Sequence, residues 1–333
     1  MGEPVDPVLV REARALGLSR DVLRGPSWSL LTRGLHRPKG WTPSGRKHWA
    51  AMSRVLPADS AAGHLTGAAL RGWWLPQLLE PPPLFATTVG STHVQRLGVY
   101  VRRSPRTRTE CVNGVRLVAE VDTVHELAGD LSLLDLVPIL ESAWQRGGVK
   151  PAEVVAAAPP RMRGLRTLCR AAALADVRSE SWWETMLRLV HELAGIRVEP
   201  QQEIRTALGF LVARVDLRVL GTNRVPEYDG EDHRRRARHR DDLRREKEMR
   251  RMGLDRWGYT SPEIEHHPGQ IVRDAETALG LPHDPRRTDR WSREARVATV
   301  TASGRSRLTA RLNRYRQAAH RRASAPSSGA MRA

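Results

Sequence analysis

Cysteine is scarce: the 333-residue chain has two, Cys111 and Cys169. Neither sits in a Cys-x-x-Cys spacing or beside clustered histidines, so neither a disulfide framework nor a zinc site is supported. A reduced, cytoplasmic protein is the expectation. Long hydrophobic runs are missing too, and no stretch approaches the ~20 apolar residues that span a bilayer. The opening MGEPVDPVLV lacks a basic region followed by an apolar run, so neither secretion nor a membrane partner is implied. Lysine occurs only at Lys39, Lys47, Lys150 and Lys247, so the net charge of +18 is almost all arginine. GC-rich coding would produce the same excess, yet basic charge attracts phosphate whatever its origin. DNA is the expected partner.

What is present is a stretch of carboxylates. From Phe210 to His233 the chain reads FLVARVDLRVLGTNRVPEYDGEDH. An apolar run ending in Val-Asp, the loop Gly221-Thr222-Asn223 and a second run ending in Glu-x-Asp-Gly predict a β-hairpin. Such a hairpin would bring Asp216 and Glu227 together at one sheet end. Paired carboxylates on rigid strands suit Mg²⁺, whose octahedron water or phosphate completes. That chemistry points to metal-assisted phosphodiester hydrolysis.

Asp216, the eleven-residue step to Glu227 and EYDGEDH resemble the core of the PD-(D/E)XK nuclease superfamily. More closely, they resemble its very-short-patch-repair-like domains. Such domains open with a Ser-x-x-Glu-Ser-x-x-x-Arg helix, which Ser181, Glu184, Thr185 and Arg188 match with the arginine one position early. The resemblance covers about residues 178 to 280. It implies a Mg²⁺ or Mn²⁺ cofactor on Asp216 and Glu227, with Glu184 as a third acid reaching the metal through water. The superfamily's lysine, two residues after the glutamate, is replaced by Asp229. The resemblance then implies His233 as base or acid and Asp229 as ligand of a second metal. Pro226 removes a backbone donor, so the second strand is expected to begin there.

Charge continues beyond His233. The segment RRRARHRDDLRREKEMRRMG has helix formers throughout, and its acid and base pairs at three- and four-residue spacing are also what a solvated surface helix shows. Its other reading lays Arg244, Lys247 and Arg251 along a nucleic-acid backbone, with Arg244 or Lys247 replacing the missing strand lysine.

The N-terminal part reads differently. Residues 7 to 24 predict a helix, a turn and a second helix capped by Ser19. The run Thr32 to Pro38 resembles the wing of the winged-helix domain heading AbiEi-type antitoxins, although Gly25-Pro26 interrupts the expected recognition helix. His64 to Gly72 and Asp122 to Ala128 resemble segments of the same proteins. His64 has no carboxylate or nucleophile at a meaningful spacing, so it is expected to cap or hydrogen-bond near a helix start. Pro81-Pro82-Pro83 marks a linker. Short strands are predicted at 84–89, 93–102 and 115–119, then helices at 122–128, 133–146, 151–157 and 164–173.

The expected architecture is α/β. A nuclease-like mixed sheet flanked by helices occupies 178–282, after a winged-helix-like region (1–50) and a mostly helical antitoxin-like scaffold (51–177). The last helix of the nuclease-like region is predicted at 262–279, and a basic, largely disordered tail with a short helix near 308–319 is expected over 283–333. Two functions follow: a Mg²⁺-dependent DNA endonuclease of repair or defence, or a non-catalytic DNA-binding regulator of antitoxin type. The second implies a toxin partner or its operator.

Overall fold

The computed structural model describes residues 6–42, 45–90, 96, 98–206, 208–230 and 247–324. The chain is mixed α/β and divides into two compact units. One unit combines Met1–Leu131, Arg146–Leu165 and Ser306–Ala333; the other combines Ser132–Gln145 and Arg166–Arg305.

The first unit opens with β1 (Val8–Leu9), α1 (Val10–Ala13), α2 (Arg20–Arg24), β2 (Trp28–Thr32) and β3 (Leu35–Pro38). The three strands form an antiparallel sheet in the order β1-β3-β2. Ser19 caps α2 as its sequence predicts, accepting from the Val22 amide at 3.2 Å. The predicted first helix is an α turn at Val10–Ala13 continued by a 3₁₀ turn at Arg14–Leu16 that stops at Gly17, and it starts late because Val8 and Leu9 pair with β3. The segment expected as a wing forms the β2–β3 turn, where Gly34 takes the left-handed φ of +80°. Val8, Ala13, Leu23 and Trp28 form the local core.

Then come α3 (Gly45–Ser53), β4 (Ser60–Ala62), α4 (His64–Arg71), β5 (Leu84–Thr88), β6 (Val99–Arg103), β7 (Thr109–Val112), β8 (Val115–Val118) and α5 (Glu120–Ala128). Their strands make a five-stranded mixed sheet in the order β6-β5-β4-β8-β7. Strand β7 is not among the predicted strands, since Thr109 to Val112 shows little apolar alternation; it exists by pairing antiparallel with β8. Strands β5 and β6 are parallel, with Phe85 opposite Tyr100 and Thr87 opposite Arg102. All four therefore share one sheet face.

Helices α6 (Leu133–Gly147), α7 (Pro151–Ala156) and α8 (Leu165–Leu174) follow. In the second unit, α9 (Trp182–Leu193) starts at Ser181, whose hydroxyl accepts from the Glu184 amide at 3.1 Å. It buries Met186, Leu189, Val190 and Leu193, the stripe that its periodicity gives. Next come β9 (Val198–Arg205), β10 (Leu211–Val219), β11 (Arg224–Tyr228), a helical stretch at 247–251 and β12 (Asp255–Tyr259). The observed ladders are β9 with β10, antiparallel, and β11 with β12, parallel. The predicted ladder between β10 and β11 does not form, and Pro226 is part of the reason. Successive amides along a strand point to opposite sides, and the Asp229 amide donates to Tyr259 of β12. Residues 224, 226 and 228 therefore turn their amide side toward β10, where proline has no N–H to give. Pro226 accordingly sits mid-strand, with the strand starting at Arg224 rather than at the proline.

Two further expectations change. The helix predicted from Pro262 to Leu279 is two helices, Ser261–His266 and Pro268–Ala278. Proline disfavours helical backbone at the residue before it, here His267. The tail, expected to be largely disordered apart from a short helix near 308–319, is ordered over its described residues, with helices at Asp289–Ala295 and Ala302–Ser324, the second containing the expected one. Few apolar residues do this. Trp291, Ala298 and Val300 are buried in the second unit, and Leu308 and Leu312 in the first. Thr299 also donates its amide (2.9 Å) and hydroxyl (2.6 Å) to the fully buried Asp135.

Candidate functional site

The ladders fix where the predicted acids point. Along β10 the register with β9 runs without slip from Ala213 to Val219, so Ala213 and Val215 share one face and Arg214, Asp216 and Arg218 the other. Along β11, Val225 and Glu227 share a face, and Arg224, Pro226 and Tyr228 share the other. Ala213, Val215 and Val225 meet in one apolar cluster with Met249 and Ile204. Glu227 thus belongs to the face that Met249 covers, and Asp216 leaves β10 from the opposite face.

Asp216 turns its carboxylate toward the gap between the strands. Its Oδ2 accepts from the Tyr228 amide at 2.9 Å, taking the place of a ladder carbonyl. The Tyr228 ring stacks on Trp183 of α9 at 6.0 Å. Glu184, on the same helix, accepts from the Glu180 amide at 2.8 Å and from Gln201 Nε2 at 2.9 Å. Burial pushes its carboxyl up, against these donors and Ser181.

Glu227 is 4% exposed. Arg256 of β12 donates Nε to Glu227 and Nη2 to Asp229 Oδ1, the latter at 2.7 Å. Burial works against the charge on Arg256, but Glu227 and then Asp229 hold its pKa above the usual arginine value. The two carboxylates and the guanidinium form a forked, charge-assisted cluster. Gly258 lies opposite Glu227, and a Cβ there would meet Asp229 Oδ2 at 1.8 Å. Glycine is what lets Asp229 fold back over the strand to reach Arg256. No local signal in DRWGY marks Arg256, since its partners are 29 and 27 residues away; only the register of β11 with β12 reveals it.

Asp216 and Glu227, the predicted metal pair, each engage a protein donor, the Tyr228 amide and Arg256. Among the described residues no group of three or more His, Cys, Asp or Glu side chains gathers as a cation site. These residues do not fit Mg²⁺ or Mn²⁺ as placed: Asp216 serves a backbone amide, and Glu227 and Asp229 hold an arginine. His233 and Arg244 lie outside the described residues. Lys247 is exposed on the helical stretch, and Arg251 is exposed and pairs with Glu248 at 3.1 Å. Met249 anchors that stretch, which leaves its basic positions on the outside.

The same unit contains a second charged cluster. Arg188 of α9, 1% exposed, pairs with the fully buried Glu141, which also accepts from the Thr185 hydroxyl and, at 2.9 Å, from the Asp176 amide. Here the arginine that resemblance would assign to a nuclease helix serves the core. His191 is fully buried; its Nδ1 donates to the Leu187 carbonyl at 2.8 Å, and burial pushes its pKa down to about 4. Arg224 packs over the Trp257 ring at 4.1 Å and donates to Asp255 at 2.9 Å.

Comparison of the chain with protein-family models, curated proteins and solved structures gave no match. Among the described residues no helix is long and apolar enough to cross a membrane.

Proposed function

We propose that the chain is a non-catalytic DNA-binding protein of antitoxin-regulator type, in which the nuclease-like region serves as a scaffold. The observation carrying this reading is the double engagement of Glu227 and Asp229 by Arg256. A divalent cation would have to displace a guanidinium held by two carboxylates, and Asp216 already accepts from the Tyr228 amide. DNA as the partner rests on the net charge of +18 and on Lys247 and Arg251, exposed on a stretch docked by Met249. A toxin or its operator as the wider context rests on the N-terminal resemblance alone.

A gel-shift titration of short duplex DNA tests the binding. Affinity should fall steeply between low and physiological salt, because each arginine–phosphate contact releases condensed counterions. Glu227→Gln should bind as the wild type does. Absence of a shift at low salt would remove the reading.

One observation favours a second reading, a Mg²⁺-dependent endonuclease. Glu227 and Asp229 share a face and already grip one positive charge, the arrangement from which a metal site would be made if Arg256 withdrew. Cleavage assays separate the two.

A further inference from the structure

A second polar constellation lies in the other unit, on the β5–β6 face carrying Phe85, Thr87, Tyr100 and Arg102. His64, Glu126, Asp130 and Tyr315 join these four around an open cleft of about 340 Å³, open solvent included. Sequence separation hides the grouping, since segments far apart in the chain supply it.

Both acids are oriented. Glu126 accepts from the His64 amide at 2.7 Å, the Thr87 hydroxyl at 2.7 Å and Arg102 at 2.5 Å. It can approach because residue 63 is glycine, where a Cβ would meet Glu126 Oε2 at 2.4 Å and Val118 Cγ2 at 2.8 Å. Asp130 accepts from the Tyr315 hydroxyl at 2.8 Å and from Arg163 at 3.2 Å, and it holds His64 Nε2 at 3.2 Å. Burial opposes the charge on Asp130, but His64, Tyr315 and Arg163 hold its carboxyl below the usual range. In the neutral tautomer whose Nε2 proton faces Asp130, Nδ1 presents a lone pair.

That Nδ1 is buried and has no hydrogen-bond partner among the described residues. His64 also stands at φ +50°, in the left-handed region that costs a non-glycine residue on the order of 1–3 kcal/mol. A strained, 6% exposed imidazole, fixed at one nitrogen and unsatisfied at the other, costs stability twice. A helix-start cap explains neither cost, because its side chain bonds Asp130 rather than the first turn.

The surroundings indicate what would satisfy it. Phe85 lies 4.3 Å from the His64 ring, and Tyr315 packs at 5.6 Å from Phe85 and 4.6 Å from Tyr100, so aromatic rings line the cleft. Arg102 is about half exposed and spends one nitrogen on Glu126, and a guanidinium has five donors.

We propose that this cleft binds a small planar ring that offers an N–H to His64 Nδ1 and carries a phosphate-type anion toward Arg102. A nucleoside 5′-monophosphate has both features. Rings of this kind pack well on aromatic side chains, and arginine recognises phosphate by paired hydrogen bonds.

Calorimetric titration of the full chain with AMP, CMP, GMP and UMP tests this. At least one should bind, at least tenfold tighter than its nucleoside and than ribose 5-phosphate. His64→Asn and Arg102→Gln should each weaken that binding tenfold or more. Asparagine is chosen because it tolerates positive φ, and thermal melts of both variants establish that they are folded. No binding of any of the four at millimolar concentration would overturn the proposal. So would affinity unchanged in both folded variants.

Discussion

The two charged sites use the same residue types to opposite ends. In the second unit, Glu227, Asp229 and Arg256 close on one another, as do Glu141 and Arg188. There each carboxylate named has a donor and the chemistry is spent on holding strands and helices in place. In the first unit, Glu126 and Asp130 are just as well paired, but their pairing fixes an imidazole with one nitrogen left over. Buried charge by itself therefore does not mark a site. An unmet hydrogen-bonding group held in a strained position, facing a cleft, is the better marker.

Removing one partner of the structural cluster should have the largest effect. Arg188→Met, measured by urea unfolding at pH 8, should lose roughly 3–5 kcal/mol, since Glu141 is left as a buried charge. The double variant Glu141→Gln/Arg188→Met should recover most of that loss. A single variant within about 1 kcal/mol of wild type would mean that this pair is not the structural element described.

A smaller effect should come from His191. Its folded pKa of about 4 lies below its ordinary 6.5, so between those values the unfolded chain binds a proton that the native protein refuses. Its contribution is constant above pH 6.5, is lost as pH falls, and levels off near pH 4 after about 3 kcal/mol. Burial pushes Glu141 up to about 7, against the pull of Arg188, so that group titrates with the opposite sign over an overlapping range. The wild-type stability profile minus that of His191→Gln isolates the histidine. A flat difference from about pH 7 to 4 would contradict its burial as a neutral group.

Much of the scaffold is legible in the residues. Ser181 and the apolar stripe after it give α9, and the apolar runs on either side of Gly221-Thr222-Asn223 give strands at Leu211–Val219 and Arg224–Tyr228. What the residues do not give is which strand each one pairs with. Nothing local in either run shows that Asp216 will accept from the Tyr228 amide or that Glu227 will meet Arg256 of β12. The tail departs from expectation for a related reason. Trp291, Val300, Leu308 and Leu312 are buried but too sparse to show a period. At the cleft, His64 and Glu126 are each visible but separate, because Asp130, Thr87 and Arg102 come to them only through the fold.

The smallest effect should come from the site held open. His64→Gly relieves the left-handed strain at the cost of backbone entropy, and Asp130 keeps Arg163 and Tyr315. Stability by chemical denaturation should change by no more than about 1 kcal/mol. A loss several times larger would place His64 with the structural histidines, beside His191.

The most direct measurement of the central claim is nicking of supercoiled DNA with Mg²⁺ or Mn²⁺, by wild type and Glu227→Gln side by side. Carboxylates spent on Arg256 predict no cutting by wild type above the level of the variant. Metal-dependent nicking by wild type that the variant loses would contradict the account.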